Sequence, residues 1–84
     1  MSIEQVRALL IRLLTEDFDV AADAIVDGAH LRFHLGLDSM DVIDFAYLLK
    51  AELGFEVKAI DIHGVDCFAD LVSRLHGIIE AHAA

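Results

Sequence analysis

A lone serine, Ser39, stands in the stretch Gly36-Leu37-Asp38-Ser39-Met40, with an acid on one side and the start of an apolar run on the other. An aliphatic hydroxyl in such a place has three uses. It attacks substrates when a base and an oxyanion hole adjoin it. It caps the helix that follows. Or it is esterified by another protein and carries what is attached. The other side chains able to do chemistry are Cys67 and the histidines His30, His34, His63, His76 and His82, set among fifteen acids and six bases.

The first use fits poorly. The chain has no Gly-x-Ser-x-Gly turn, and Gly36-Leu37-Asp38-Ser39 does not replace it. A helical chain of 84 residues leaves little room for a base, an oxyanion hole and a substrate pocket together. The expectation is that the chain is not an enzyme. Metal chemistry is equally thin. His30 and His34 are four apart, but no thiolate or third ligand of fitting spacing joins them. Asp17 and Asp19 open a stretch shaped like a calcium loop. It then places Ala21, Ala22 and Gly28 where an EF-hand needs a ligand, a glycine and a glutamate. Cys67 reads as a small residue at the start of a helix, buried or half-buried.

The elements that position Ser39 are helical. "SIEQVRALLIRLLTED" repeats apolar residues at steps of three and four: Ile3, Val6, Leu9, Leu10, Leu13 and Leu14. Ser2 and Gln5 have the spacing of a capping box at its start. Residues 16 to 38 lack a long period but carry regular apolar anchors: Phe18, Val20, Ile25, Leu31, Phe33 and Leu35. They read as a long ordered loop, with a helical turn near residues 29 to 34. "DSMDVIDFAYLLKAELG" is the second main helix, capped by Asp38 or Ser39 and ended by Gly54. Phe55 and Val57 pin the connection that follows, and residues 59 to 64 suit a short third helix. The last helix is expected after a cap at Asp66, with Phe68, Leu71, Val72, Leu75, Ile78 and Ile79 facing the core. The fold class is all-α: a small bundle of three main helices and one short one, forming a single domain over residues 1 to 84.

The second helix has more apolar surface than one core face uses. At about 100° per residue, Val42, Phe45, Ala46, Leu49 and Leu53 make one stripe. Met40, Ile43 and Tyr47 make another, flanked by Asp44, with Asp41 and Glu52 further round toward the core side. An uncovered stripe with acids at its edge is a candidate docking surface, unless the long loop folds over it.

Asp38 caps as well as a serine does, so Ser39 is surplus as a cap and its hydroxyl is free to turn outward. A helix N-terminus offers a positive field and free N–H groups that suit a phosphate. A hydroxyl there is well placed to carry a phosphodiester.

On these residues the chain resembles the acyl carrier proteins. "LGLDSMDVIDFAYLLKAELGFEV", residues 35 to 57, is similar to their phosphopantetheine attachment region, with Asp38-Ser39-Met40 in place of the family's Asp-Ser-Leu or Asp-Ser-Met. The likeness covers nearly the whole chain, from the first helix to a last helix opening "CFADLV". It implies that a phosphopantetheinyl transferase esterifies Ser39 with the 4′-phosphopantetheine of coenzyme A, helped by Asp38, which places the transferase's metal and the coenzyme A phosphates. It implies acyl cargo held as a thioester on the arm's thiol rather than on Cys67. It also implies docking of acyl-transferring, acyl-activating or condensing enzymes on Met40, Asp41, Ile43, Asp44 and Tyr47, through basic faces.

Three features depart from the fatty-acid-synthesis carriers. The helix ends Lys50-Ala51-Glu52 instead of in a run of glutamates. Tyr47 is bulky for its place. Arg32 and His34 stand where an acid is common. These suit a carrier dedicated to one pathway, for a special lipid, a polyketide, or an aminoacyl or aryl group, rather than the general carrier of fatty-acid synthesis. The reading from a different class is an unmodified helical adaptor that binds proteins only.

Composition agrees with either reading. The net charge of −9 disfavours nucleic acid and anionic membranes and favours partners with basic faces. Apolar residues form 57% of the chain, enough for a core. A single cysteine excludes an internal disulfide and suits a reducing cytoplasm. No apolar stretch spans a bilayer, and the start "MSIEQVR" lacks the pattern of a signal peptide. The expectation is a cytoplasmic monomer.

Overall fold

The architecture follows from a computed structural model that describes residues 1–83. Helix α1 runs Ile3–Asp17, α2 Ser39–Leu53, α3 Ala59–Ile62 and α4 Phe68–Ala83. No strand forms among the described residues, so the all-α class holds. The capping box at the first helix is present: Gln5 N–H donates to Ser2 Oγ (3.2 Å), and Ser2 N–H donates to Gln5 Oε1 (2.8 Å).

The core lies where the faces of α1, α2 and α4 meet. Val6, Leu10, Leu14, Leu49, Phe68 and Leu75 lose all contact with solvent there. The stripe Phe45, Ala46 and Leu49 of α2 is buried, and Val42 and Leu53 at its edges are half-buried. Outside the core, Arg12 of α1 pairs with Glu52 of α2 at 2.9 Å. The hydrogen bond and charge of Glu52 raise the guanidinium pKa above its ordinary value.

The long loop is ordered because it is pinned along its length. Ile25, Ala29 and Leu35 are buried. Phe18 meets Phe45 of α2 edge to face, with ring centroids 5.7 Å apart. His30 and Cys67 form an antiparallel bridge. Around it, Leu31 N–H donates to the Asp66 carbonyl (2.8 Å) and Phe68 N–H to the Ala29 carbonyl (3.0 Å). Asp19 sits at φ 57, a conformation that a short polar side chain tolerates.

The helical turn expected near 29 to 34 is present: His34 N–H donates to the His30 carbonyl (2.9 Å) and Gly36 N–H to the Arg32 carbonyl (3.1 Å), within a run of turns. The loop also holds an unexpected 3-10 turn at Ala22–Ala24. Three expectations shift. α3 stops at Ile62, because His63 is extended and Gly64 takes φ 87. α4 starts at Phe68, so the residue before it is Cys67, and Asp66 lies one step too early to cap it. Phe33, expected as an anchor, is 78% exposed.

Candidate functional site

The start of α2 is held by a reciprocal pair. Asp41 N–H donates to Asp38 Oδ1 (2.9 Å), and Asp38 N–H donates to Asp41 Oδ2 (3.0 Å). Asp38 is therefore the N-cap, with extended φ and ψ of −104 and −175. Gly36, at φ 74, turns the chain just ahead of it, a conformation glycine adopts without strain. Ser39 is the first residue of the helix and exposed. Its hydroxyl has no capping duty.

The same cap settles where the helix end remains open. The N–H of Val42 goes to the Asp38 carbonyl (3.1 Å) and that of Asp41 to the Asp38 carboxylate. The N–H groups of Ser39 and Met40 are left at the helix end, together with the positive end of the α2 dipole. Such a helix end suits an anion, and the carboxylates of Asp38 and Asp41 already stand beside it.

Beside Ser39 opens a cavity of about 400 Å³. Its apolar wall includes Phe18, Leu37, Val42, Phe45, Ile62 and Leu71, drawn from the long loop and from α2, α3 and α4. Asp38, Ser39, Arg32, Phe33 and His63 also line it. The volume lies within the usual range for small-molecule pockets, about 300 to 1,000 Å³. Sequence reasoning did not locate this cavity. Its wall comes from separate segments, and no local period reports what they enclose.

The second stripe of α2 is uncovered. Met40, Ile43 and Tyr47 are 69%, 58% and 74% exposed, so the long loop does not fold over them. Asp44 is exposed among them. Asp41 differs from the rest of that set. It is half-buried and its carboxylate serves the cap. Glu52 is taken by Arg12. Of the α2 acids, Asp44 is the one that neither caps the helix nor pairs with a base among the described residues. His30 and His34 do come together, but His30 N–H donates to His34 Nδ1 (2.7 Å), which ties that nitrogen to the backbone.

The sequence pattern of the family described as "Phosphopantetheine attachment site" matches residues 8–75. The chain belongs to that family. An acyl carrier protein of Saccharopolyspora erythraea is 31% identical over 71 residues, covering 76% of this chain and 75% of the relative. The family's prosthetic group is 4′-phosphopantetheine, and its members are carriers rather than enzymes. A phosphopantetheinyl transferase and acyl-handling enzymes are the partners such a carrier needs. No helix among the described residues is long and apolar enough to cross a membrane.

Proposed function

We propose that this chain is a single carrier unit whose attachment residue is Ser39. The observation that carries this is the position of the Ser39 hydroxyl: exposed, relieved of capping by Asp38, and beside an apolar cavity. In the loading step the Ser39 oxygen attacks the β-phosphorus of coenzyme A, the one that bears the pantetheine. The pyrophosphate P–O bond breaks, adenosine 3′,5′-bisphosphate leaves, and the serine proton passes to a base of the transferase. The attached arm supplies a thiol that holds acyl groups as thioesters. The chain's own contribution is positional. Asp38 fixes the helix start, the end of α2 accommodates the phosphodiester, and the cavity walls shelter the apolar part of the cargo from water.

Met40, Ile43 and Tyr47 form the face that acyl-transferring, acyl-activating or condensing enzymes read, with Asp44 steering their basic residues. Asp41 supports that face through the cap rather than by direct contact. With Lys50 on the same helix and little unspent acid, this surface suits a carrier serving one fatty-acid, specialised-lipid or polyketide pathway, working as a cytoplasmic monomer. The test is incubation with coenzyme A and a broad-specificity transferase, followed by intact mass. A gain of one phosphopantetheine, absent in Ser39→Ala, supports the reading. An unchanged mass under several transferases leaves the unmodified adaptor.

A further inference from the structure

Phe33 is the most exposed large apolar side chain of the protein, at 78%, yet it is held in place. Its ring stacks on that of His30, with centroids 4.4 Å apart and planes inclined by 28°. His30 is itself fixed. Its Nδ1 accepts the N–H groups of Arg32 and Phe33, both at 3.1 Å. Its carbonyl accepts from His34 N–H (2.9 Å) and Leu35 N–H (3.2 Å). Its backbone lies in the bridge to Cys67. The Nε2 side faces Asp66 at 4.0 Å. One residue, through its ring and its backbone, thus ties the 30–35 turn together and presents the Phe33 ring at the rim of the cavity that Ser39 and His30 also line.

An aromatic ring kept rigid and wet beside an apolar cavity gains by being covered. Among the described residues, the stack on His30 is its one aromatic contact. The nearest apolar group with reason to be there is cargo entering the cavity from Ser39. We infer that Phe33 is a cargo-contacting residue, on which the apolar portion of the carried group lies as it enters the cavity, and that His30 is the residue positioning it. The inference rests on the carrier reading for the identity of the occupant. The contact itself can be tested without any arm.

The unmodified full chain is titrated with a free apolar fluorophore, N-phenyl-1-naphthylamine. The wild type binds it. Phe33→Ala binds about fivefold more weakly, as expected from losing part of the burial of one phenyl ring. Phe33→Trp retains the affinity. His30→Ala loses as much as Phe33→Ala. His30→Asn, whose Oδ1 can take the place of Nδ1 as acceptor, recovers at least half of that loss. Because Phe33 is exposed, its substitution leaves the fold intact, which circular dichroism checks. Equal affinity for wild type and Phe33→Ala overturns the inference, as does a wild type that binds no probe. His30→Ala weakened without recovery in His30→Asn overturns the positioning role. Loading of Ser39 is read separately by mass, so failure of the carrier reading leaves the probe result standing, and the reverse.

Discussion

Asp38 and Asp41 cap each other across the first turn of α2, each carboxylate accepting the other's backbone N–H at 2.9 and 3.0 Å. Two residues thus do the work usually given to a Ser or Thr cap and its glutamate. The serine between them is left without a structural task.

The cap and the serine therefore separate on mutation. Asp38→Ala loses one cap hydrogen bond and should cost about 1 kcal/mol of stability. Ser39→Ala should change stability by less than about 0.5 kcal/mol, as an exposed substitution away from packing does. Urea denaturation of both variants checks this. A Ser39→Ala variant destabilised as much as Asp38→Ala would show that the hydroxyl caps after all.

The core should be far less forgiving. Leu49 is fully buried on α2, and Leu49→Ala should cost about 2–5 kcal/mol through lost burial and the cavity left behind. Against a total stability of about 5–15 kcal/mol for small domains, that is a large share. Thermal denaturation should show a strong fall in melting temperature.

Two glycines should respond in opposite directions. Gly54 ends α2 at φ 81, where an alanine is strained by about 1–2 kcal/mol. Gly77 lies inside α4 with open space where a Cβ would stand, so Gly77→Ala should stabilise by up to about 1 kcal/mol. Paired denaturant curves decide both.

The outer stripe of α2 should matter to partners and not to the fold. Tyr47→Ala and Asp44→Lys should leave stability within about 0.5 kcal/mol. Asp44→Lys should slow loading by a transferase several-fold at low salt, with the difference shrinking as salt rises. Equal loading rates at all salt concentrations would remove Asp44 from the encounter surface.

Much of this was legible in the sequence because it is periodic or local. The α1 face, the α2 core stripe, the Ser2–Gln5 cap and the stop at Gly54 all report through spacing within one helix. The α2 outer stripe was legible for the same reason. What escaped was made by distant segments meeting. The 30–35 turn is organised by hydrogen bonds to the His30 ring and by a bridge to Cys67, neither of which leaves a local pattern. Phe33 looked like a core anchor because hydrophobicity alone does not say which way a loop residue points. The sequence offers Asp38 as a cap, and the fold adds that the Asp41 carboxylate accepts the Asp38 N–H in return.

The central claim is tested most directly by locating the arm. The loaded chain is cut with trypsin, which frees residues 33 to 50, a peptide in which Ser39 is the sole serine. The account predicts that this peptide carries the added phosphopantetheine, with fragmentation placing it on Ser39. A modified mass found instead on a peptide bearing Ser2 or Ser73, or an unmodified 33–50 peptide after exhaustive incubation, would contradict it.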